Sequence, residues 1–300
     1  MPMSFASDQK AARTSATLMS DHLSQRDFRR LAEFIQSHSG IKMPPTKKTM
    51  VEGRLRRRIS AIGAANFGDY CHYLFERGGL KDEYVHLIDA ISTNKTEFFR
   101  EPDHFRYLED HAVPELLTFP AGRHSPLKIW SAASSIGAEP YTLAMVLTDL
   151  IEKRGYDFRF SIEASDISTR VLKTGAAAIY PEDMIAPVPL EMRSRYLLRA
   201  KDRARRLVRI VPELRDKVRF HRINLMEPPY PLDRNFDIVF CRNILIYFDK
   251  ATQQTVLERI CDHLRPGGYL FLGHSESLAG LTLPLLSVGT TIFRRAKETP

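Results

Sequence analysis

The residue types in this chain that could do chemistry gather in four short stretches. They are Asn94-Lys95-Thr96-Glu97-Phe98-Phe99-Arg100-Glu101, Trp130-Ser131-Ala132-Ala133-Ser134-Ser135-Ile136-Gly137-Ala138-Glu139-Pro140-Tyr141, Ala164-Ser165-Asp166-Ile167 and Cys241-Arg242-Asn243-Ile244-Leu245-Ile246-Tyr247-Phe248. Glu139 and Asp166 offer carboxylate acceptors for the hydroxyl or ammonium groups of a ligand. Arg100 offers paired N–H donors, the geometry that holds a carboxylate. Tyr247 offers one hydroxyl that can donate or accept. Each also has a plain structural role. Asp166 could cap the helix that follows, and Glu139 could be a first-turn acid facing the helix dipole. Asn94 and Thr96 could be caps, Asn224 a turn residue, Arg242-Asn243 loop fastenings, Arg100 a surface cation and Tyr247 a core ring.

The elements that must position these groups follow from hydrophobic spacing. Leu127–Trp130 reads as a strand, Ser131–Ala138 as a loop of small residues, and Glu139-Pro140 as the opening of a helix. Proline suits the first helical turn, and Leu143, Val146, Leu147, Leu150 and Ile151 follow at helical spacing. Small side chains let a ligand approach the backbone. Phe158–Ala164 reads as a second strand with Ser165-Asp166 at its end, where Rossmann-like folds hold ribose hydroxyls. Phe236–Cys241 is a third strand leading into Arg242. The G-x-G-x-x-G pattern is absent, so a dinucleotide is not favoured.

Taken together and in order, the four stretches resemble the CheR family, the chemoreceptor glutamate methyltransferases that use S-adenosylmethionine. The matching pieces are N-x-T-x-F-F-R-E, W-S-A-A-S-x-x-G-x-E-P-Y, A-S-D-I and C-R-N-x-x-I-Y-F, within a resemblance running from about Phe28 to Phe293. It implies a class I (Rossmann-like) α/β methyltransferase domain with a small β insertion, preceded by a small all-α domain. It implies that Asn94, Thr96, Arg100, Glu139, Asp166, Asn224, Leu225, Arg242 and Asn243 contact the cofactor, with S-adenosylhomocysteine as product. Arg100 and Tyr247 would flank the transferred methyl. A glutamate acceptor is already ionised at neutral pH, so no His or Cys catalyst is expected. His274, in Gly273-His274-Ser275-Glu276, reads as a strand-end histidine satisfied locally. The chain has Gly137-Ala138-Glu139 where many members have G-E-E, which removes one acid and keeps the other. Glu227-Pro228-Pro229-Tyr230 resembles the N-P-P-Y of N-methyltransferases, but it precedes the Phe236–Cys241 strand instead of following it and reads as a proline loop.

Composition narrows the partners. The 300 residues are 43% hydrophobic, enough for a globular core. No run of apolar residues is long enough to span a membrane, and the first residues lack the apolar core of a secretion signal. With three cysteines and no C-x-x-C pair, buried thiols in a reducing cytoplasm are expected, and no metal site. The net charge of +8 fits an acidic partner. No aromatic-rich basic surface suits base stacking, so nucleic acid is not expected.

Residues 1–19 read as a disordered leader. Residues 20–92 read as a helical domain, with helices over Ser20–His38, Thr46–Ile62, Asn66–Arg77 and Leu80–Ser92. Residues 93–126 read as a linker holding the cofactor-contacting segment and a helix over Pro102–Leu117, and residues 127–300 as the α/β domain. Tyr180–Pro189 reads as a loop and about 190–215 as the β insertion, with a basic turn from Lys201 to Arg206. Lys47, Arg54, Arg57 and Arg58 lie on one side of the second helix. By the resemblance, that face docks the acidic helical bundle of a chemoreceptor, and some members bind a receptor's C-terminal tail peptide at the insertion by strand addition. The chain is expected to act as a monomer.

Overall fold

The computed structural model describes residues 22–118 and 125–297, and the leader expected over residues 1–19 lies outside them. The chain divides into two units, residues 1–92 and 93–300.

The first unit is helical: α1 (Gln25–Ser39), α2 (Lys48–Ile62, entered by a 3-10 turn Pro45–Lys47), α3 (Phe67–Glu76) and α4 (Leu80–Ile91). Ser24 caps α1 by accepting from the Asp27 N–H, and Asn66 caps α3 by accepting from the Asp69 N–H. Phe28, Leu31, Ile35, Val51, Leu55, Ile59, Tyr70, Leu74 and Leu87 fill the core.

The second unit begins with α5 (Pro102–Tyr107), a π turn over Leu108–Ala112, and α6 (Val113–Thr118). Phe98, Phe105, Leu108, Val113 and Leu116 lie in the main core of this unit. The segment expected to be a linker is therefore a packed layer, because its apolar stripe finds the sheet and not solvent.

β1 (Leu127–Ala132), α7 (Ala138–Arg154), β2 (Phe160–Asp166) and α8 (Thr169–Ala177) follow. Then come β3 (Ile179–Pro181), α9 (Leu190–Tyr196), β4 (Leu197–Arg199), β5 (Leu207–Ile210), α10 (Pro212–Arg215) and β6 (Val218–Arg222). β7 (Phe236–Cys241), α11 (Lys250–His263), β8 (Leu264–Leu272), β9 (Leu285–Gly289) and β10 (Ile292–Arg295) end the described chain. The main sheet has seven strands in the order β6-β2-β1-β7-β8-β10-β9. It is parallel except for β10, which runs antiparallel to β8 and β9. This is the class I methyltransferase arrangement.

The insertion is a separate antiparallel sheet, β3-β5-β4. It starts at Ile179, earlier than expected. β3 was hidden because it is three residues long and ends on Pro181, and the prolines after it read as loop. β9 was also unforeseen: it is an edge strand with little burial, so it carries no strong hydrophobic alternation. Cys71, Cys241 and Cys261 are buried and free. Among the described residues, no helix is long and apolar enough to cross a membrane.

Candidate active site

In the sheet, strand order reverses between β1 and β7, the place where open α/β folds bind ligands beyond the strands' C-terminal ends. Ala132 pairs with Ser165 on one side and with Cys241 on the other. The ends of β1, β2 and β7 thus bring the corner loop, Asp166 and Arg242 to one edge.

The backbone here is held in unusual conformations. Ala133 (φ 57°), Ser135 (φ 52°) and Gly137 (φ 90°) are left-handed in the corner. Phe99 (φ 54°) and Glu101 (φ 57°) flank Arg100 in the same way, and Asn243 (φ 59°) follows β7. Each non-glycine case costs roughly 1–2 kcal/mol, so surrounding bonds must enforce it.

Asp166 supplies two of those bonds. Its Oδ2 accepts from the Ser135 N–H at 2.9 Å and its Oδ1 from the Ser168 N–H at 2.9 Å. The N-cap of α8 is Ser168, whose Oγ accepts from the Val171 N–H. Asp166 therefore staples β2 to the corner and is not the cap. Behind the corner, the Tyr180 hydroxyl donates to the Ile136 carbonyl at 2.8 Å, and the Tyr141 hydroxyl to the Gly175 carbonyl at 2.9 Å. A Cβ on Gly137 would sit 3.1 Å from Gly175, Phe220 and Tyr180 atoms. Gly137 is thus required by packing behind the loop.

Arg242 organises the front. Its side chain is only 3% exposed. It donates to Glu101 Oε2 at 2.9 Å, to Glu139 Oε2 at 3.1 Å, and to the Arg100 carbonyl. Its guanidinium lies 5.6 Å from the Phe105 ring centroid and 5.8 Å from that of Phe240. Asn243 Nδ2 donates to Glu101 Oε1 at 3.1 Å. Buried Glu276 accepts from the N–H groups of Asn243 (2.9 Å), Leu245 (2.7 Å) and Gly273 (2.6 Å). That carboxylate shapes the turn Leu245–Tyr247 that carries Tyr247. Arg242 and Asn243, expected on the cofactor, spend their donors on Glu101, Glu139 and the Arg100 carbonyl. They act on the site by fastening the Arg100 segment to the corner.

The electrostatics favour a cation. Burial pushes the Glu139 carboxyl up, opposed by Arg242 and the Ser131 hydroxyl, which donates to its Oε1 at 2.7 Å. Burial also works against ionisation of Glu101, but Arg242 and Asn243 outweigh it and hold that carboxyl below its usual range. Burial pushes Glu276 up against its backbone N–H partners. The one buried guanidinium is flanked by two carboxyls, those of Glu101 and Glu139.

Of the remaining expected residues, Asn94 and Thr96 are half-buried on the segment before Arg100. The Asn94 carbonyl accepts from Ser135 Oγ at 3.1 Å. Asn94 Nδ2 and Ser134 Oγ are buried with no hydrogen-bond partner, which is costly unless a ligand completes them. Arg100 is half-buried and donates to the Lys95 carbonyl at 3.2 Å. Asn224 Oδ1 accepts from the Met226 N–H, and its Nδ2 donates to Glu227. Its amide closes a turn. Unpartnered donors, a small-residue corner and surplus carboxyls fit a nucleoside that carries a cationic tail.

The family model for the CheR methyltransferase SAM binding domain matches residues 94–293, and that for the CheR methyltransferase all-alpha domain matches residues 26–92. The chain belongs to the CheR methyltransferase family. It is 39% identical to a chemotaxis protein methyltransferase of Klebsiella aerogenes over 92% of this chain and 91% of that one. It is 37% identical to chemotaxis protein methyltransferases of Salmonella typhimurium (92% of each chain) and Pseudomonas aeruginosa (92% and 95%). S-adenosylmethionine is accordingly the cofactor, and the chain is a chemotaxis methyltransferase.

The family motifs also contain residues that sequence reasoning passed over. Glu101 closes the N-x-T-x-F-F-R-E stretch and Glu276 follows His274. The signal for Glu101 was Arg242, since a buried guanidinium beside a strand needs carboxylates; Glu276 pairs with backbone N–H groups, which leave no mark in the sequence. Tyr180 was missed with β3.

The docking face of α2 divides. Arg54 donates to the Ile91 and Ser92 carbonyls, closing the end of α4. Arg58 makes a bidentate pair with buried Glu83 at 2.7 Å. Both are tied into the helical unit, so they are poor candidates for docking. Lys47 reaches the Lys42 carbonyl at 3.4 Å. Arg57 and its neighbour Arg56 are exposed.

Proposed function

We propose that this enzyme methylates glutamate side-chain carboxylates on the cytoplasmic helices of chemoreceptors, giving glutamate 5-O-methyl esters and S-adenosylhomocysteine, in the cytoplasm. The observation that carries this is the Arg242–Glu101 pair at 2.9 Å. It fastens the Arg100 segment against the corner that holds Glu139, so a carboxylate-binding side chain is presented where the cofactor's reactive end lies. Glu139 receives the amino group of the cofactor and Asp166 the ribose hydroxyls. Asn94 and Thr96 complete the pocket, and Asn224-Leu225 flank the adenine. When bound, S-adenosylmethionine supplies an electrophilic methyl on a sulfonium, whose departure leaves a neutral thioether. Arg100 holds the incoming carboxylate with its lone pair aimed at the methyl, and Tyr247 fixes the orientation from the other side. The nucleophile is already ionised, so positioning and exclusion of water are the catalytic tasks.

Exposed Arg56 and Arg57 on α2 supply the cationic docking face for an acidic receptor bundle. The open edge of β4 offers a place for a receptor tail peptide to add as a strand. The test is mass spectrometry of a receptor cytoplasmic fragment after incubation with enzyme and cofactor. Methyl groups on glutamate side chains are expected; methyl groups confined to other residue types would overturn the reading.

A further inference from the structure

Beside the Arg242 clamp lies a second cluster. His104, in α5, is 1% exposed. Its Nε2 lies 3.0 Å from Thr291 Oγ1, while its Nδ1 is buried with no hydrogen-bond partner. Nδ1 stands 3.5 Å from Glu101 Oε2, beyond hydrogen-bond length. The exposed ring of His274 packs edge-on against His104, with centroids 4.9 Å apart. One ligand atom from each of Glu101, His104 and His274 falls within 4.8 Å of the others.

Two ligands of a single tetrahedral ion, each bonded at about 2.1 Å, stand roughly 3.4 Å apart. The His104–Glu101 spacing already matches that, and the exposed His274 offers its ligand atom within 4.8 Å of both. We propose that Glu101, His104 and His274 form a binding site for a divalent transition-metal ion of the Zn²⁺ and Co²⁺ class. Two imidazoles and one carboxylate select such ions over Mg²⁺ or Ca²⁺. A His ligand whose other nitrogen is hydrogen-bonded is the usual arrangement in metal sites, and Thr291 supplies that partner. Burial, with Arg242 adding to it, brings the His104 pKa down to about 4, so the ring is in its neutral, ligating form. Arg242 repels an ion here, but it is itself paired with Glu101 and Glu139. Coordination draws on the carboxylate that fastens the Arg100 segment. Resting on the function proposed above, the ion is therefore inhibitory.

The test titrates Zn²⁺ or Co²⁺ into the full chain, following the Co²⁺ visible absorption and the melting temperature. One equivalent should bind. His274→Ala, an exposed change that leaves the metal-free melting temperature in place, should weaken binding at least about tenfold, whereas His86→Ala, on an exposed helix site, should not. Saturating Zn²⁺ should slow methyl transfer by the parent, with recovery on chelation. Binding by His274→Ala as tight as the parent's, or no stoichiometric binding at millimolar metal, would overturn the site. Stoichiometric binding lost in His274→Ala but without effect on methyl transfer would keep the site and overturn its inhibitory role. Failure of methyl transfer in metal-free enzyme would count against the proposed function alone.

Discussion

At the residue scale, Glu139 is where the buried charge of the site can be measured. Its carboxyl is pushed up by burial in the free protein, and a cofactor ammonium brought against it restores the ionised form. Binding should therefore release a proton at mildly acidic pH, and affinity should fall as pH drops through the carboxylate range. Calorimetry in buffers of different ionisation enthalpy reads the proton directly, and Glu139→Gln should abolish its release. Proton release that survives in the Gln variant would move the effect to another group. The same shift has a stability sign. A folded-state pKa above the unfolded value means the native state binds more protons near and above the ordinary carboxyl range, so this carboxyl's contribution to stability falls as pH rises through that window.

Arg242 gives the opposite kind of test. Arg242→Met leaves Glu101 and Glu139 buried without their partner, which costs roughly 3–5 kcal/mol. Urea unfolding should show that loss, and methyl transfer should fall with it. A second change in the same network is Gly273→Ala, because a Cβ there would overlap the Asn243 amide. It should lower kcat with a smaller effect on the cofactor Kd, as Asn243 is driven off Glu101 and the Tyr247 turn shifts.

At the element scale, the corner depends on the insertion sheet more than its sequence suggested. Tyr180→Phe removes the bond from β3 to the Ile136 carbonyl and should cost about 1 kcal/mol. Weaker cofactor binding should accompany the lower melting temperature, and unchanged binding would show that the corner holds itself. The parts of the fold legible in advance were those with strong local signals. Phe236–Cys241 is apolar at every position but Asp237, with Ile238 and Val239 β-branched at its centre, and it was placed without error. The end of α1 was marked by Gly40, which is left-handed there. The helix over Val256, Leu257 and Ile260 was readable from its spacing and from Asp249, which caps it by accepting from the Thr252 N–H. What was not legible depended on distant partners. β3 is three residues long and exists because β5 pairs with it. Arg265-Pro266-Gly267-Gly268 has the residue types of a turn, yet Leu264 pairs with Phe236 and opens β8 through it. The site residues were located by motif, but their roles were not. Only the folded chain shows that Arg242 turns inward to two glutamates and that Arg54 and Arg58 turn to α4.

That last point changes how docking should be probed. Reversing Arg54 and Arg58 would strip partners from buried Glu83 and from the end of α4, and should unfold the helical unit. Reversing the exposed Arg56 and Arg57 avoids this. It should raise KM for receptor and reduce its salt sensitivity, since exposed charges are screened over ~8 Å at physiological salt. Cofactor affinity should stay unchanged. Receptor methylation at normal efficiency across salt would remove α2 from the docking surface.

At the scale of the whole molecule, a +8 chain with two units holds a site whose buried carboxyls exceed its buried cations. The two facts point the same way: an acidic macromolecule outside and a cationic cofactor inside. A glutamate acceptor, an amine acceptor and an RNA acceptor differ in the bond they leave behind. Only the first gives a carboxyl ester, which mild base cleaves. The most direct measurement is therefore transfer of tritiated methyl from S-adenosylmethionine to a receptor cytoplasmic fragment, followed by base treatment and collection of volatile label. The account predicts labelled receptor whose counts are released as methanol, and no label on RNA offered in its place. Label that stays on the protein through base, or that appears on the RNA, would contradict it.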